Sequence, residues 1–137
     1  MNELLDAIDN EDNKSIMGLT TQKIKGDKND ILQQLQLSGE SLKIFHKKLK
    51  TYRYCEDIQH MRLGHYIRWI PLRDKDDISL TNGGILCEIK TIGGTVHLLC
   101  KNNYNRLMQL KFDECIVFQK LSEQELIILN ILDYLQK

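Results

Sequence analysis

The stretch "ILCEIKTIGGTVHLLCK" (residues 85–101) alternates apolar and polar side chains on both sides of a glycine pair. Alternation with a period of two is typical of half-buried β-strands, and a glycine pair between two such runs is typical of a tight turn. The stretch therefore predicts a β-hairpin with one face toward a core and the other toward solvent. The inward face is predicted to carry Ile85, Cys87, Ile89, Val96, Leu98 and Cys100. The outward face is predicted to carry Glu88, Lys90, His97 and Lys101.

Similar strand-like runs flank this hairpin, separated by Gly- and Asn-containing turns. "GHYIRWIPL" (64–72) precedes it, and "RLMQLKFDECIVFQKL" (106–121) follows as one or two strands bent near Asp113-Glu114. Short strands at a spacing of about ten residues are typical of an antiparallel sheet that curls into a small barrel. Residues 61–121 are therefore predicted to form such a barrel.

A helix start signal follows the predicted barrel. Ser122 is a preferred N-cap residue, and Glu125, three residues later, completes a capping box. The predicted helix, 122–136, is apolar over more than one face, which is unfavourable for a helix that lies on a solvent-exposed surface. We expect it to pack on the barrel, on the helical segment before the barrel or on another subunit.

A second apolar repeat precedes the barrel. After Asn29, a candidate N-cap, apolar side chains recur in steps of four and three residues, which is the heptad pattern of a helix with an apolar seam. The seam comprises Ile31, Leu35, Ser38, Leu42, Phe45, Leu49 and Tyr52. Residues 29–53 are therefore predicted to be helical, and Ser38-Gly39 leaves open whether the helix breaks into two.

Together these segments predict an α+β protein in three parts. Residues 1–28 form a flexible or partly helical N-terminal segment, and the helix with the heptad seam spans 29–53. A small antiparallel β-barrel with a capped C-terminal helix occupies 54–137.

Charge and residue spacing argue against several classes of function. The chain carries 19 Lys+Arg and 19 Asp+Glu, so a strongly basic nucleic-acid protein is not indicated. The four cysteines include no Cys-x-x-Cys pair, and His97 and Cys100 alternate to opposite faces of a strand, so no metal site is expected. No glycine elbow surrounds a serine or cysteine, and no glycine-rich loop opens a helix, so neither catalysis nor a bound cofactor is expected.

The start of the chain and the cysteines indicate an intracellular, soluble protein. The first residues, "MNELLDAIDNED" (1–12), are acidic and lack the apolar run of a signal peptide. No window approaches the roughly 20 apolar residues of a membrane span, so no membrane contact is expected. We expect the thiols to be reduced.

The seam and the terminal helix are two surplus apolar surfaces, and they indicate a non-enzymatic assembly or adaptor protein that associates with itself or with a protein partner. The residues expected at this association surface are Ile31, Leu35, Leu42, Phe45, Leu49, Tyr52, Ile128, Ile131 and Leu135. The alternative is a nucleic-acid-binding module that uses basic side chains lying off the seam. The residues expected at that surface are Lys43, Lys47, Lys48, Lys50, Arg53 and Arg68. A solvated outer helix face explains the same lysines without any ligand.

Residues 61–121 also resemble small proteins of large DNA viruses. The likeness lies in "YIRWI" (66–70), the charged turn after it, "LTNGGIL" (80–86) and the final "FQKL" (118–121). In those proteins such segments form a small SH3-like barrel, often behind a predicted coiled helix. The resemblance implies an SH3-like fold and a virus-encoded structural component, located in the virion or the host cytoplasm. It implies no functional residue.

Overall fold

The computed structural model describes Ile16 and residues 18–136, which form three helices and one six-stranded sheet. The helices are α1 (Thr21–Gln33), α2 (Gly39–Lys48) and α3 (Glu123–Leu135). The strands are β1 (Tyr52–Tyr54), β2 (Tyr66–Pro71), β3 (Gly84–Ile92), β4 (Thr95–Lys101), β5 (Leu107–Lys111) and β6 (Cys115–Lys120). Short 3-10 turns lie at Ile58–His60 and Phe112–Glu114. All strand pairs are antiparallel, so the predicted α+β class is confirmed.

The strand order in the sheet is β1-β6-β2-β3-β4-β5. Strands β2 to β5 form a meander, and β6 returns to lie between β1 and β2. Among the described residues, β1 and β5 are the two edges and do not pair with each other. The sheet is therefore open, and the closed barrel expected from the sequence is not formed by backbone pairing.

Apolar clusters cover both faces of this sheet. The cluster on the first face comprises Cys55, Met61, Ile67, Trp69, Leu86, Leu98, Cys100, Leu110 and Val117. The cluster between the second face and the helices α1 and α2 comprises Leu32, Phe45, Leu49, Tyr52, Ile70, Ile116 and Phe118. The sheet residues of the second cluster come from β1, β2 and β6, so α1 and α2 cover that half of the sheet.

Strand β3 departs from the predicted alternation at one residue. Its register against β4 shifts between Leu86 and Glu88, so Cys87 is an extra residue in a β-bulge. Because the bulge shifts the side chains before it by one position, Leu86 is fully buried and Ile85 is 47% exposed. The prediction that Ile85 and Cys87 face inward is therefore wrong. The predicted inward positions on β4 are confirmed, because Leu98 and Cys100 are buried and Val96 packs against the same cluster. His97, predicted on the outward face, is only 9% exposed, and its Nδ1 lies 2.9 Å from Nε2 of Gln109 on β5, so its predicted solvent exposure is wrong.

The hairpin between β3 and β4 has the tight turn that its glycine pair predicts. Ile92 pairs with Thr95, so the turn contains only Gly93 and Gly94. Both glycines have positive φ, +57° and +82°, which L-residues with a side chain rarely adopt.

The glycines before and at the start of β3 allow a close approach of backbones. A Cβ atom at Gly83, where φ is +78°, would overlap the carbonyl oxygen of Ile67. A Cβ atom at Gly84 would lie 2.5 Å from the carbonyl oxygen of Lys101. Glycine is therefore required at both positions by space, and at Gly83 also by the backbone angle.

The helical segment predicted over 29–53, for which a break at Ser38-Gly39 was left open, is a pair of helices with different bounds. Helix α1 begins earlier, after the N-cap Thr20, and the chain turns at Gln36, where φ is +54°. Ser38 is not a seam residue inside a helix but the N-cap of α2, because its side chain accepts the backbone N–H of Ser41. The segment from Tyr52 onward is strand β1, so the helical prediction for the end of this range is wrong.

Helix α3 confirms its predicted start. The backbone N–H of Ser122 donates to Glu125 Oε1 at 2.9 Å, and the N–H of Glu125 donates to Ser122 Oγ at 3.1 Å, which is a complete capping box. The inner face of α3 packs in a third cluster that comprises Ile16, Ile24, Leu121, Ile128 and Leu129.

The N-terminal segment predicted over 1–28 lies partly outside the described residues. The structure describes Ile16 and the chain from residue 18 onward, and helix α1 begins within that part, at Thr21.

Candidate interaction surfaces

The heptad seam predicted to mediate association lies inside the chain. Phe45, Leu49 and Tyr52 are buried in the cluster between α2 and the sheet. The remaining seam side chains are half-buried and pack against the same cluster: Ile31, Leu35 and Leu42. The break between α1 and α2 lets both halves of the seam fold back on the β1-β6-β2 part of the sheet. Within one copy of the chain the seam is therefore a core element.

The three residues predicted on α3 lie along one side of the helix but differ in exposure. Ile128 is 2% exposed and belongs to the third cluster, Ile131 is half-buried, and Leu135 is 72% exposed. Residues four and three apart share a helix face. An apolar row, here called the outer stripe, therefore runs beside the buried face and comprises the half-buried Ile127 and Ile131 and the exposed Tyr134 and Leu135. Sequence reasoning had singled out neither Ile127 nor Tyr134, which is 74% exposed, although helical spacing from Ile131 would have identified both.

Polar contacts fix α3 so that the outer stripe faces away from the core. Asp133 accepts the backbone N–H of Thr21 at 2.8 Å and also the Thr21 hydroxyl, which joins α3 to the first residue of α1. Glu125 is 1% exposed, and its Oε1 lies 3.6 Å from Nδ1 of His65. The orientation of α3 is therefore set by side chains on its inner face and at both of its ends.

The lysines of the proposed nucleic-acid surface lie together on α2 and directly after it. They are all exposed and form what is here called the basic face: Lys43, Lys47, Lys48 and Lys50. Ile44, which is 46% exposed, lies among them on the outer side of α2. None of the four lysines forms an ion pair with another residue of the described part of the chain.

The two arginines predicted to join these lysines lie elsewhere. Arg53 is 4% exposed, because it belongs to strand β1 rather than to the end of a helix. Arg68 lies on β2, and its Nε donates to the carbonyl oxygen of Thr81 at 2.8 Å, which holds the loop between β2 and β3 against β2. Neither arginine is part of the basic face.

A buried lysine contacts the C-terminal end of α2, next to the basic face. Lys28 on α1 is 4% exposed, and its Nζ donates to the carbonyl oxygens of Leu49 at 2.8 Å and Lys50 at 3.4 Å. Burial, together with the nearby charge of Lys25, lowers the pKa of the Lys28 ammonium. The sequence predicts a flexible or partly helical segment over residues 1–28 and gives no sign of this contact of Lys28.

Three of the four cysteines are poorly suited to act as nucleophiles or metal ligands. Burial raises the pKa of the Cys55 thiol to about 12, and burial also raises the pKa values of Cys100 and Cys115, each to about 11. A protonated thiol is a weak nucleophile and a weak ligand. Among residues 16 and 18–136, no group of three or more His, Cys, Asp or Glu side chains could hold a metal ion.

One groove lies where β5 and the start of β6 approach each other. Its volume is about 330 Å³, and Trp69 and Leu110 are among its lining residues, with Arg73, Lys111 and Glu114. Two of these charges offset each other, because Lys111 Nζ lies 3.9 Å from Glu114 Oε1. Arg73 is the one charge of the lining that this pair does not offset, and a single arginine does not identify a class of ligand.

No family model, curated protein or solved structure matches the chain. In the described part, no helix is both long enough and apolar enough to cross a membrane.

Proposed function

We propose that this chain is a non-enzymatic assembly protein that associates through the outer stripe of α3. The observation that carries the proposal is the exposure of Tyr134 and Leu135, 74% and 72%, on a helix whose inner face already packs in the core. Contiguous exposed apolar side chains rimmed by polar ones are typical of association surfaces.

The size of the stripe limits what it can do alone. Full burial of a large apolar side chain contributes about 1.5–3 kcal/mol, whereas association costs about 4–15 kcal/mol in lost freedom of motion. The four side chains of the stripe therefore supply a contact of modest strength. A stable assembly requires a second favourable interaction, such as the pairing of opposite charges.

For the sheet, we propose an SH3-like small barrel. Strands β5 and β6 are four positions apart in the sheet order, which is about 19 Å in a flat sheet. Only the turn Phe112–Glu114 joins them, and a 3-10 turn of this length advances the chain by about 6–8 Å. A sheet that is strongly curled meets this constraint, which supports the SH3-like fold implied by the resemblance of residues 61–121. On the same resemblance, we propose that the assembly is a virus-encoded structural component.

The test compares two exposed tyrosines. Tyr134→Ser removes an aromatic ring from the outer stripe, and Tyr104→Ser removes one from the β4–β5 turn, where Tyr104 is 84% exposed. We expect light scattering after size exclusion to show a smaller particle for Tyr134→Ser and an unchanged particle for Tyr104→Ser. Equal masses for both variants and the unaltered chain would contradict association through the stripe.

The second candidate function is nucleic-acid binding, favoured by the four exposed lysines of the basic face. Contacts between lysines and phosphates release counterions, so the affinity falls steeply as salt increases. Fluorescence anisotropy with a labelled single-stranded oligonucleotide at several salt concentrations tests this function. An affinity that does not change with salt, or no binding at low salt, excludes it.

A further inference from the structure

We propose that the outer surface of strands β3, β4 and β5, here called the sheet surface, binds single-stranded nucleic acid. The sheet surface is separate from the outer stripe of α3 and from the basic face of α2. The proposal therefore adds a binding site with its class of ligand, and it does not rest on either function proposed above.

The strand register places two rows of side chains on the sheet surface. Lys90 on β3 pairs with His97 on β4, and His97 pairs with Lys111 on β5. Residues directly opposite each other in neighbouring antiparallel strands point to the same face of a sheet. The second row, formed in the same way from β3 to β5, comprises Ile85, Lys101 and Leu107.

The helices leave the sheet surface open. Leu98, Cys100 and Leu110, which alternate with the two rows, belong to the cluster on the first face of the sheet, so the rows lie on the second face. In the described part of the chain, no residue of β3, β4 or β5 belongs to a cluster that involves a helix. Ile85 is 47% exposed and Leu107 is 68% exposed. This half of the second face is therefore available to a ligand.

The charge of the three strands favours an anionic ligand. Residues 84–112 contain four lysines and arginines and one acidic residue, Glu88, although the whole chain has a formal net charge of zero. Lys111 lies 3.9 Å from Glu114, and both are exposed, so this contact offsets little of the charge. The other three cations form no ion pair with a described residue: Lys90, Lys101 and Arg106.

The side chains beside these cations favour a single strand of nucleic acid among anionic ligands. Proteins that bind single strands combine a positively charged surface along the phosphates with side chains on which bases stack. Tyr104 is 84% exposed and lies between Lys101 and Arg106 in the β4–β5 turn. Ile85 and Leu107 flank Lys101 in its row. Bases can therefore contact the aromatic and apolar side chains while the phosphates reach the cations.

The experiment compares two full-length variants that each lose two positive charges. The sheet variant carries Lys101→Gln and Lys111→Gln, one from each row, and the control variant carries Lys43→Gln and Lys47→Gln on the basic face. All four lysines are exposed, so both variants are expected to fold, which circular dichroism checks. Fluorescence anisotropy measures the binding of a labelled single-stranded oligonucleotide of mixed sequence at several salt concentrations.

We expect the sheet variant to bind at least about tenfold more weakly than the unaltered chain at low salt, because it loses two phosphate contacts. The slope of log affinity against log salt concentration is expected to fall by about 1.4, since each contact with a single strand contributes about 0.7. The control variant is expected to keep the affinity of the unaltered chain within about twofold.

Two tyrosine variants test base stacking. Tyr104→Ala is expected to weaken binding by about fivefold or more without changing the salt slope. Tyr134→Ala on α3 is the matched control, because Tyr134 is 74% exposed and lies outside the sheet surface, and its affinity is expected to stay unchanged. Equal affinities for both variants and the unaltered chain would exclude stacking on Tyr104 and overturn the choice of a single strand as the ligand.

Results of three kinds would overturn the sheet surface as the binding site. Equal losses in the sheet and control variants would show that total charge, and not this surface, determines binding. A loss in the control variant alone would assign the oligonucleotide to the basic face and leave the second candidate function standing. No binding to the oligonucleotide at low salt, with or without binding to vesicles of anionic lipid, would exclude nucleic acid as the ligand.

Discussion

Lys28 Nζ donates a hydrogen bond of 2.8 Å to the carbonyl oxygen of Leu49, so a lysine of α1 satisfies the C-terminus of α2. The last carbonyl groups of a helix have no partner within the helix. The contact orders the point where α2 ends and the chain enters β1. It also explains why a lysine is 4% exposed in a protein of this size.

We expect Lys28→Met to lower the free energy of unfolding by about 1–3 kcal/mol, because it removes a hydrogen bond from a charged group to the Leu49 carbonyl oxygen, which then keeps only the N–H of Tyr52. Lys25→Met on the same helix is the matched control, since Lys25 is exposed. Its effect is expected to stay within about 0.5 kcal/mol. Urea unfolding measures both, and equal effects would show that the Lys28 contact does not stabilise the fold.

The glycines around the start of β3 give a second prediction. Gly83→Ala and Gly84→Ala each force a methyl group against a backbone carbonyl of a neighbouring strand. We expect each to lower the free energy of unfolding by about 2–4 kcal/mol. Gly26→Ala is the control: no atom lies within 4 Å of its added Cβ, so we expect a gain of about 0.5–1 kcal/mol in helix α1. A loss at Gly26 as large as that at Gly83 would refute the close-approach argument.

Thiol reactivity tests the β-bulge directly. The bulge exposes Cys87, whereas Cys55 and Cys100 are buried. We expect an aromatic disulfide reagent to modify Cys87 rapidly in the native protein and to modify the two buried thiols only as the protein unfolds. Cys87→Ser should remove the fast phase. A fast phase that persists in this variant would mean that the register of β3 is different.

The raised pKa of Cys55 predicts a loss of stability at alkaline pH. Burial raises the pKa of this thiol from 9.0 to about 12, so above pH 9 the unfolded chain loses a proton that the folded chain retains. Stability contributed by the protonated thiol is therefore present below pH 9 and is lost as the pH rises toward 12.

Cys55→Val removes this titration while keeping an apolar side chain of similar size. Between pH 8 and pH 10 we expect the free energy of unfolding to fall by about 1 kcal/mol more in the unaltered chain than in the variant. The other thiols titrate in both proteins and cancel in the comparison. Identical pH profiles would contradict the burial of Cys55.

Local patterns in the sequence predicted much of the fold. The capping box at Ser122 and Glu125, the turn at Gly93-Gly94 and the inward residues of β4 each depend on side chains close in the chain, and all three are confirmed. Their hydrogen bonds and backbone angles are determined locally, so the sequence alone is sufficient.

The misplaced elements depend on contacts between distant residues. The seam from Ile31 to Tyr52 has a sustained heptad period, but its apolar residues pack on Ile70 and Phe118 of the sheet, and a capping serine divides the helix. The bulge at Cys87 depends on the register against β4, which periodicity within one strand cannot reveal. The same limit applies to the interaction surfaces. Residue spacing predicted that the lysines of α2 lie off the apolar seam, but only the packing of α1 and α2 shows which apolar residues remain exposed.

The solution mass of the unaltered chain, measured by light scattering after size exclusion at low and high salt, tests association most directly. The account predicts a mass well above the 16.1 kDa of one chain at low salt. The mass should persist at high salt, because the stripe is apolar and salt screens only charges. A mass of 16.1 kDa at every salt and protein concentration would contradict the proposal that the outer stripe of α3 is an assembly surface.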